Sequence, residues 1–205
     1  MKLYYSKGAC SLASRIVLEE MGLPYEAIAV DFSKELSPEF LKLNPMGSVP
    51  VLEMENGETL TEGSAILQYL ADRKSATGFA PAAGTPERYR LQEWLNFIAT
   101  EIHKGFSPLF SIEAISKNPA TGEELRTFFV KDLGRKFDVL ANKLGTSPFL
   151  MASGYSVADA YLFTVLNWSS AVKMDLSRWP TLPAYMDRVK ARPATIRALQ
   201  AEHLM

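Results

Sequence analysis

The stretch "KLYYSKGACSLASRIVLEEMG", residues 2–22, decides the fold. The aromatic run over residues 2–5 predicts a β-strand, which the polar segment after it ends. Apolar side chains then recur at helical spacing, at Leu12, Ile16, Val17 and Leu18. Gly22 is typical of the residue that follows a helix, because glycine adopts the left-handed conformation needed there. The stretch therefore predicts strand, loop and helix, with Cys10 at the first turn of the helix.

Further segments continue this alternation of strands and helices. They are a strand at 26–30, a short helix within 37–45, two strand-like runs within 49–61 and a helix over 63–74. Asn56-Gly57 separates the two runs and is a strong hairpin signal. A β-α-β unit of this size implies parallel pairing of its strands. The order β-α-β-α-β-β-α predicts an α/β thioredoxin-like domain over residues 1–78.

After a linker at 79–85, residues 86–205 read as an all-α domain. Thr85-Pro86 is a good helix start, and an apolar stripe predicts one long helix through Leu91, Trp94, Leu95, Ile98 and Ile102. A second stripe spans residues 125–144. The helix that begins at Ser156 is nearly apolar all round, so we expect it to be central. Two more helices are separated at Pro193.

Composition excludes several classes of protein. The 205 residues are 47% hydrophobic and 22% charged, which is typical of a folded globular chain. The net charge of −1 and the absence of a basic run argue against nucleic-acid and membrane-surface partners. No signal-peptide pattern or long apolar run is present, and one cysteine suits a reducing compartment, so we expect a cytoplasmic protein. With two distant histidines, a metal site is improbable.

Cys10 is the first candidate for chemistry. Unpaired N–H groups and the dipole at a helix N-terminus favour a thiolate, so the position predicts a reactive thiol. The alternative is an inert cysteine, since lone cysteines are often buried as small hydrophobic residues.

Two junctions of the first domain could hold an extended ligand. A cis peptide bond at Val49-Pro50 would turn the backbone of Val49 toward Cys10, although Pro50 could simply start a strand. Glu62 and Gly63 lie where a strand meets a helix; backbone N–H groups there could bind a carboxylate while Glu62 meets an ammonium. The alternative is an ordinary helix start with an acidic residue.

Asn96, Thr100 and His103 lie at i, i+4 and i+7 of the predicted long helix, with Lys104 beside them. This spacing predicts a shared face that could meet a ligand. A merely solvated polar face is the alternative.

Together these motifs resemble the bacterial beta-class cytosolic glutathione transferases along essentially the whole chain. The resemblance rests on four segments in order: "MKLYYSKGACSLASRIVLEEMGL", "NPMGSVPVLEMENGETLTEGSAILQYLADR", "EWLNFIATEIHKGFSPLF" and "SVADAYLF". It implies a thioredoxin-like domain followed by a helical domain, and a homodimer with active sites at the subunit boundary. It also implies reduced glutathione as co-substrate, no prosthetic group, and a small hydrophobic electrophile as second substrate.

The resemblance also implies roles for individual residues. Cys10 and His103 would be catalytic, and the glutathione-binding set would be Ser11, Lys34, Val49, Pro50, Glu62, Gly63, Asn96, Thr100 and His103. Some of these would reach the site from the neighbouring subunit. The electrophile pocket, inferred from position, would be lined by Phe106, Leu109, Phe110 and Trp168.

The chain departs from the family pattern at three places. The loop at residues 31–44 is shorter than usual, so Lys34 is the nearest candidate for the lysine that meets the glycyl carboxylate. Arg15 replaces a frequent histidine and Met46 a frequent lysine, and either change could alter the charge of the cleft.

Three functions follow from the resemblance. The first is conjugation of the glutathione thiol to electrophiles. The second is a glutathione-dependent thiol-disulfide reductase, peroxidase or dehalogenase that works through a Cys10 mixed disulfide; without a second cysteine nearby, only a monothiol route is open. The third is a non-catalytic binding module, since fold does not fix function.

Overall fold

Four strands form one mixed sheet in the computed structural model, which describes all 205 residues. They are β1 (Lys2–Tyr5), β2 (Glu26–Ala29), β3 (Val51–Glu53) and β4 (Thr59–Leu60), arranged in the order β2-β1-β3-β4. β2 is parallel to β1, whereas β3 is antiparallel to both β1 and β4. The turn between β3 and β4 holds Gly57 at a φ of +83°, a conformation that costs glycine little. The predicted parallel unit and hairpin are both confirmed.

Three helices complete the thioredoxin-like part. They are α1 (Ser11–Met21), α2 (Pro38–Leu43) and α3 (Gly63–Arg73). Ser37 starts α2 by accepting the N–H of Phe40 on its hydroxyl at 3.1 Å. Gly22 ends α1 in the left-handed conformation, as predicted. The element order and the fold class are confirmed.

The rest of the chain is helical. After a 3-10 turn at Ser75–Thr77 come α4 (Pro86–Phe97), α5 (Lys104–Phe110), α6 (Ile112–Ile115), α7 (Pro119–Gly145), α8 (Val157–Leu166), α9 (Trp168–Ala171), α10 (Thr181–Lys190) and α11 (Pro193–Ala201). Every residue of α8 is buried, which confirms its central place. Asp159 stabilises its start by accepting the N–H of Ser156 at 2.9 Å. None of the helices combines the length and apolar character needed to cross a bilayer.

One predicted helix is interrupted. Between α4 and α5 the residues Ile98–His103 form a π-helical segment, so the predicted long helix is present but is not α-helical throughout. A π-turn holds more residues than an α-turn, and the side chains beyond it are therefore rotated about the axis. His103 turns inward and is half-buried, while Asn96 and Thr100 stay exposed. The three residues that the spacing placed on one face therefore differ in exposure.

One large hydrophobic core extends through both halves of the molecule, and a small second cluster forms around Phe40 and Val49. The large core joins the inner side of α1 to α8 and α11, and 41 buried residues belong to it. Ion pairs reinforce the same contact at the surface, where Arg197 meets Glu19 at 2.9 Å and Arg192 meets Glu20. The loop that leads into α1, with Cys10 at its end, is consequently fixed between the two halves.

Candidate active site

Two cavities meet at Cys10 and His103. The first, here the polar cavity, has a volume of about 310 Å³ and lies between the loops 44–50 and 61–63. The second, here the apolar cavity, has a volume of about 660 Å³ and lies between the loop 7–10 and the side chains of Phe110 and Trp168. Cys10 and His103 are the only two residues that line both. Both volumes fall in the range of small-molecule sites, roughly 300–1,000 Å³.

The Cys10 thiol donates its hydrogen to a backbone carbonyl. Its Sγ lies 3.1 Å from the carbonyl oxygen of Val49. Burial raises the pKa of Cys10 to about 11, although the N–H groups of Cys10 and Ser11 act in the opposite direction. The expectation of a thiolate at this helix start is therefore wrong for this structure, because two N–H groups do not offset the loss of water. At neutral pH Cys10 is a thiol that donates a hydrogen bond.

The two junctions singled out in the first half border the polar cavity. The Val49-Pro50 peptide bond is cis, as predicted, and Val49 presents its carbonyl to Cys10. Glu62 has a φ of +65°, an unfavourable conformation for a residue with a side chain, and is exposed at the rim. Such backbone strain clusters at ligand sites. Gly63 begins α3 beside it. The structure thus brings four of the predicted residues together around Cys10.

Two predicted glutathione contacts lie elsewhere. Ser11 is fully buried and exchanges hydrogen bonds with the backbone of Ser6, accepting its N–H at 3.2 Å. It supports the helix start but lines neither cavity. Lys34 pairs with Asp31 at 3.2 Å and lines neither cavity. Lys104, which the sequence placed only beside the site, is the cation that borders the polar cavity.

Asn96 and Thr100 also lie outside both cavities of this chain. The Thr100 hydroxyl donates to the carbonyl of Asn96 at 3.0 Å, and both side chains face outward. Their predicted role from a neighbouring subunit stays a prediction.

His103 is held by two aromatic side chains. Its Nδ1 lies 2.7 Å from the hydroxyl of Tyr161, and its ring packs against Trp168 with centroids 4.8 Å apart. Burial, together with the nearby charge of Lys104, lowers the pKa of His103 to about 4. The imidazole is neutral at pH 7. It can donate or accept a hydrogen bond, but it contributes no positive charge.

Two of the four predicted pocket residues line the apolar cavity. Phe110 and Trp168 line it. Phe106 is fully buried against Trp168, with ring centroids 5.8 Å apart, and Leu109 is buried in the hydrophobic core. Neither residue lines the apolar cavity, because on α5 Phe110 borders the cavity while Phe106 and Leu109 are buried.

The sequence missed much of the apolar cavity's wall. The additional lining residues include Lys7, Leu12, Thr164, Asn167, Leu199 and Leu204. The indole of Trp168 also donates to the carbonyl of Gly8 at 2.8 Å, which fixes the loop before Cys10. No local motif marks these residues, since they come from stretches that are far apart in the sequence.

Arg15 and Met46, the two departures from the family pattern, differ in their effect on the site. Arg15 is buried away from both cavities and meets Glu202 at 3.0 Å. Its charge is therefore neutralised within the core. Met46 lines the polar cavity, where a lysine would have added a positive charge.

Comparison with known proteins agrees with this geometry. The family model "Glutathione S-transferase, N-terminal domain" matches residues 8–73, and "Glutathione S-transferase, C-terminal domain" matches residues 97–193. Glutathione S-transferase GstA of Escherichia coli O157:H7 is 41% identical, with each sequence covered over its full length. A sphingomonad glutathione S-transferase complexed with glutathione is 41% identical, with complete coverage of both chains and a TM-score of 0.90. The beta-class enzyme of Sphingomonas chungbukensis matches with the same identity, coverage and TM-score, 41%, 100% and 0.90.

Proposed function

The chain belongs to the glutathione S-transferase family, and from this we propose that it conjugates the thiol of reduced glutathione to small hydrophobic electrophiles, a detoxifying reaction. The observation that carries the proposal is the meeting of a polar and an apolar cavity at Cys10 and His103. A conjugating enzyme needs one site for a charged tripeptide, one for an apolar partner, and a shared boundary where the new bond forms.

Glutathione occupies the polar cavity in this proposal. The backbone of Val49 pairs with the cysteinyl unit, and Glu62 meets the ammonium of the γ-glutamyl end. Gly63, at the start of the eleven-residue helix α3, offers N–H groups to the adjacent carboxylate. Lys104, which makes no ion pair in this structure, is available to the glycyl carboxylate in place of Lys34.

Binding changes the partner of the Cys10 thiol. In this structure its S–H donates to the Val49 carbonyl, the same oxygen that the glutathione backbone would use. When glutathione takes the Val49 carbonyl oxygen, the S–H of Cys10 can donate to the sulfur of glutathione instead. A thiolate accepts hydrogen bonds more strongly than a thiol, so this contact lowers the pKa of glutathione from its ordinary value near 8.5. The proton of glutathione leaves to water.

The electrophile occupies the apolar cavity next to Phe110 and Trp168. The thiolate sulfur supplies the electron pair for the new carbon–sulfur bond. With an aryl halide, the halide leaves with the electron pair of its bond to carbon; with an enone, the resulting enolate takes a proton from water. Cys10 and His103 act by hydrogen bonding in this step, and neither becomes covalently attached.

The raised pKa of Cys10 disfavours the mixed-disulfide route. That route needs Cys10 as a thiolate, and burial opposes this ionisation. Conjugation does not require Cys10 to ionise, because a neutral thiol can donate a hydrogen bond and a thiolate cannot.

We further propose a homodimer in the cytoplasm, where glutathione is abundant and reduced. The exposed side chains of Asn96 and Thr100 would then face the site of the neighbouring subunit. Sedimentation at micromolar concentration tests this point; a monomer would remove the shared site.

The test of the function is the initial rate of thioether formation from glutathione and 1-chloro-2,4-dinitrobenzene, for the wild type and for Cys10→Ala. We expect the wild type to conjugate and the variant to stay within about tenfold of it, the cost of one hydrogen bond to a charged group. A folded wild-type protein without activity or glutathione binding would overturn the function. Complete loss in a variant that still binds glutathione would give Cys10 the central role instead.

A further inference from the structure

The hydrogen bond between His103 and Tyr161 is not used by the proposed reaction. His103 ends the π-helical segment Ile98–His103, and Tyr161 lies in the second turn of the buried helix α8. Nδ1 and the phenol oxygen are 2.7 Å apart, and the two rings stand at 89° to each other. Trp168 covers another side of the imidazole at 68°. The ring of His103 is therefore fixed in orientation before any substrate arrives.

The protonation of both groups limits how they can bond. Burial and the charge of Lys104 lower the pKa of His103 to about 4, so a neutral imidazole with one N–H is present at pH 7. Burial, with the nearby Cys10 and Glu62, raises the pKa of Tyr161 well above its ordinary value. The phenol keeps its proton. The two groups thus share one short contact in which either Nδ1 or the hydroxyl is the donor.

The surroundings of the Tyr161 hydroxyl decide which of the two groups donates the hydrogen bond. The Tyr161 side chain is almost fully buried at the wall of the polar cavity, and Nδ1 is the only protein acceptor within hydrogen-bonding distance of its hydroxyl. If Nδ1 carried the proton, the phenol hydrogen would be left without a partner in the interior, which is costly. The hydroxyl therefore donates to Nδ1, and the proton of the imidazole lies on Nε2, which has no partner in the protein.

We propose that Tyr161 is a positioning residue that fixes His103 in the Nε2–H tautomer, so that His103 serves the reaction as a hydrogen-bond donor and not as a base. The inference rests on the proposed function, whose reacting sulfur lies beside His103. The lone pair of Nδ1 is taken by Tyr161, and Nε2 carries hydrogen, so the ring has no free lone pair for the thiol proton of glutathione. The Nε2–H and the Cys10 S–H are then two donors at the boundary of the cavities, able to stabilise the same thiolate.

The tautomer can be read directly by NMR, because protonated and unprotonated ring nitrogens have well-separated 15N shifts. The chain has two histidines, and the exposed His203 is assigned by its loss in His203→Gln. At pH 7 we expect His103 to show a protonated Nε2 and an unprotonated Nδ1. In Tyr161→Phe the Nδ1 resonance should move toward that of a nitrogen without a hydrogen bond. A protonated Nδ1 in the wild type would overturn the proposal.

Kinetics supply the second readout. We expect Tyr161→Phe to lower kcat about tenfold with little change in the KM for glutathione, as when a group that orients a working histidine is removed. Tyr185→Phe, which removes another buried hydroxyl bonded to Asp159, is the control for stability alone and should leave kcat unchanged. An equal loss in both variants would mean that Tyr161 acts only on stability.

Substitutions of His103 separate a donor from a base. His103→Gln keeps an N–H donor of similar reach, whereas His103→Leu keeps none. A donor role predicts several-fold more activity in the Gln variant than in the Leu variant; a base role predicts the same loss in both, and that result would contradict the inference. A wild-type enzyme without conjugating activity would overturn the proposed function instead, since the tautomer is measured without any substrate.

Discussion

The two cavities that meet at Cys10 and His103 are built in different ways. The polar cavity is bordered mostly by short loops of the thioredoxin-like half, whose backbone groups are set by a cis proline bond and a strained Glu62. The apolar cavity is bordered by side chains from segments as distant as Lys7 and Leu204. A backbone-built site leaves local motifs in the sequence. A side-chain-built site leaves none, and its composition can vary without loss of fold, which suits the part of a transferase that accepts varied electrophiles.

The largest expected effect concerns the thiol on the boundary. With a pKa of about 11 instead of the ordinary 9, Cys10 should react with iodoacetamide at pH 7.5 about 100-fold more slowly than a free thiol. The rate of alkylation measured as a function of pH, without glutathione, gives the apparent pKa of Cys10. The same chain unfolded in guanidinium is the control, because it contains one cysteine. An apparent pKa below 9 in the folded protein would contradict this prediction and would favour the mixed-disulfide route.

The second prediction affects the polar cavity alone. Glu62→Gln removes the charge that meets the ammonium of glutathione, an interaction of about 2 kcal/mol, so KM for glutathione should rise roughly 30-fold. KM for the electrophile should not change. Glu87→Gln, an exposed glutamate outside both cavities, is the matched control. If both KM values rise together in Glu62→Gln, the cavities do not divide the substrates as described.

The third prediction affects the apolar cavity alone. Phe110 is 54% exposed and lines this cavity, so Phe110→Ala should raise KM for chlorodinitrobenzene about fivefold through lost apolar contact. KM for glutathione should stay as in the wild type. Phe128→Ala, on α7 and 64% exposed, removes a similar surface ring away from the site. An unchanged KM in Phe110→Ala, or an equal change in Phe128→Ala, would count against the assignment.

The smallest expected effect is on stability in acid. His103 has a pKa near 4 in the folded chain and near 6.5 when unfolded, so the unfolded state binds a proton first as the pH falls. The free energy of unfolding is therefore highest above pH 6.5 and falls as the pH drops from 6.5 to 4. The expected decrease is about 1 kcal/mol, because the ring is partly exposed to solvent. Denaturant unfolding at several pH values measures it. His103→Gln should lose less stability over this window; identical curves would mean that His103 titrates normally.

The difference between a site built from local backbone and one built from distant side chains also explains which features the sequence could predict. The hairpin at Asn56-Gly57 and the start of α8 at Ser156 depend on neighbouring residues, and both were predicted correctly. The placement of Val49 and Glu62 beside Cys10 followed from the order of the elements together with the family resemblance. The hairpin and the helix start depend on local sequence. The placement of Val49 and Glu62 depends on a fold that local sequence patterns predict.

Other features depend on tertiary contacts and could not be predicted. The π-turn that rotates His103 inward has no signal in an apolar stripe that fits an ordinary helix equally well. Burial of the Cys10 thiol, which reverses its expected pKa shift, depends on packing between the two halves. Lys34 was chosen by its place in a short loop, but it lies on the surface beside Asp31 and borders neither cavity.

The most direct test of the account is a crystal structure with S-hexylglutathione, which carries a tripeptide and an apolar chain on one sulfur. We predict the tripeptide in the polar cavity against Val49 and Glu62, the hexyl chain in the apolar cavity beside Phe110, and the sulfur between Cys10 and His103. A tripeptide seated in the larger cavity, or a sulfur out of reach of both Cys10 and His103, would contradict the division of the site described here.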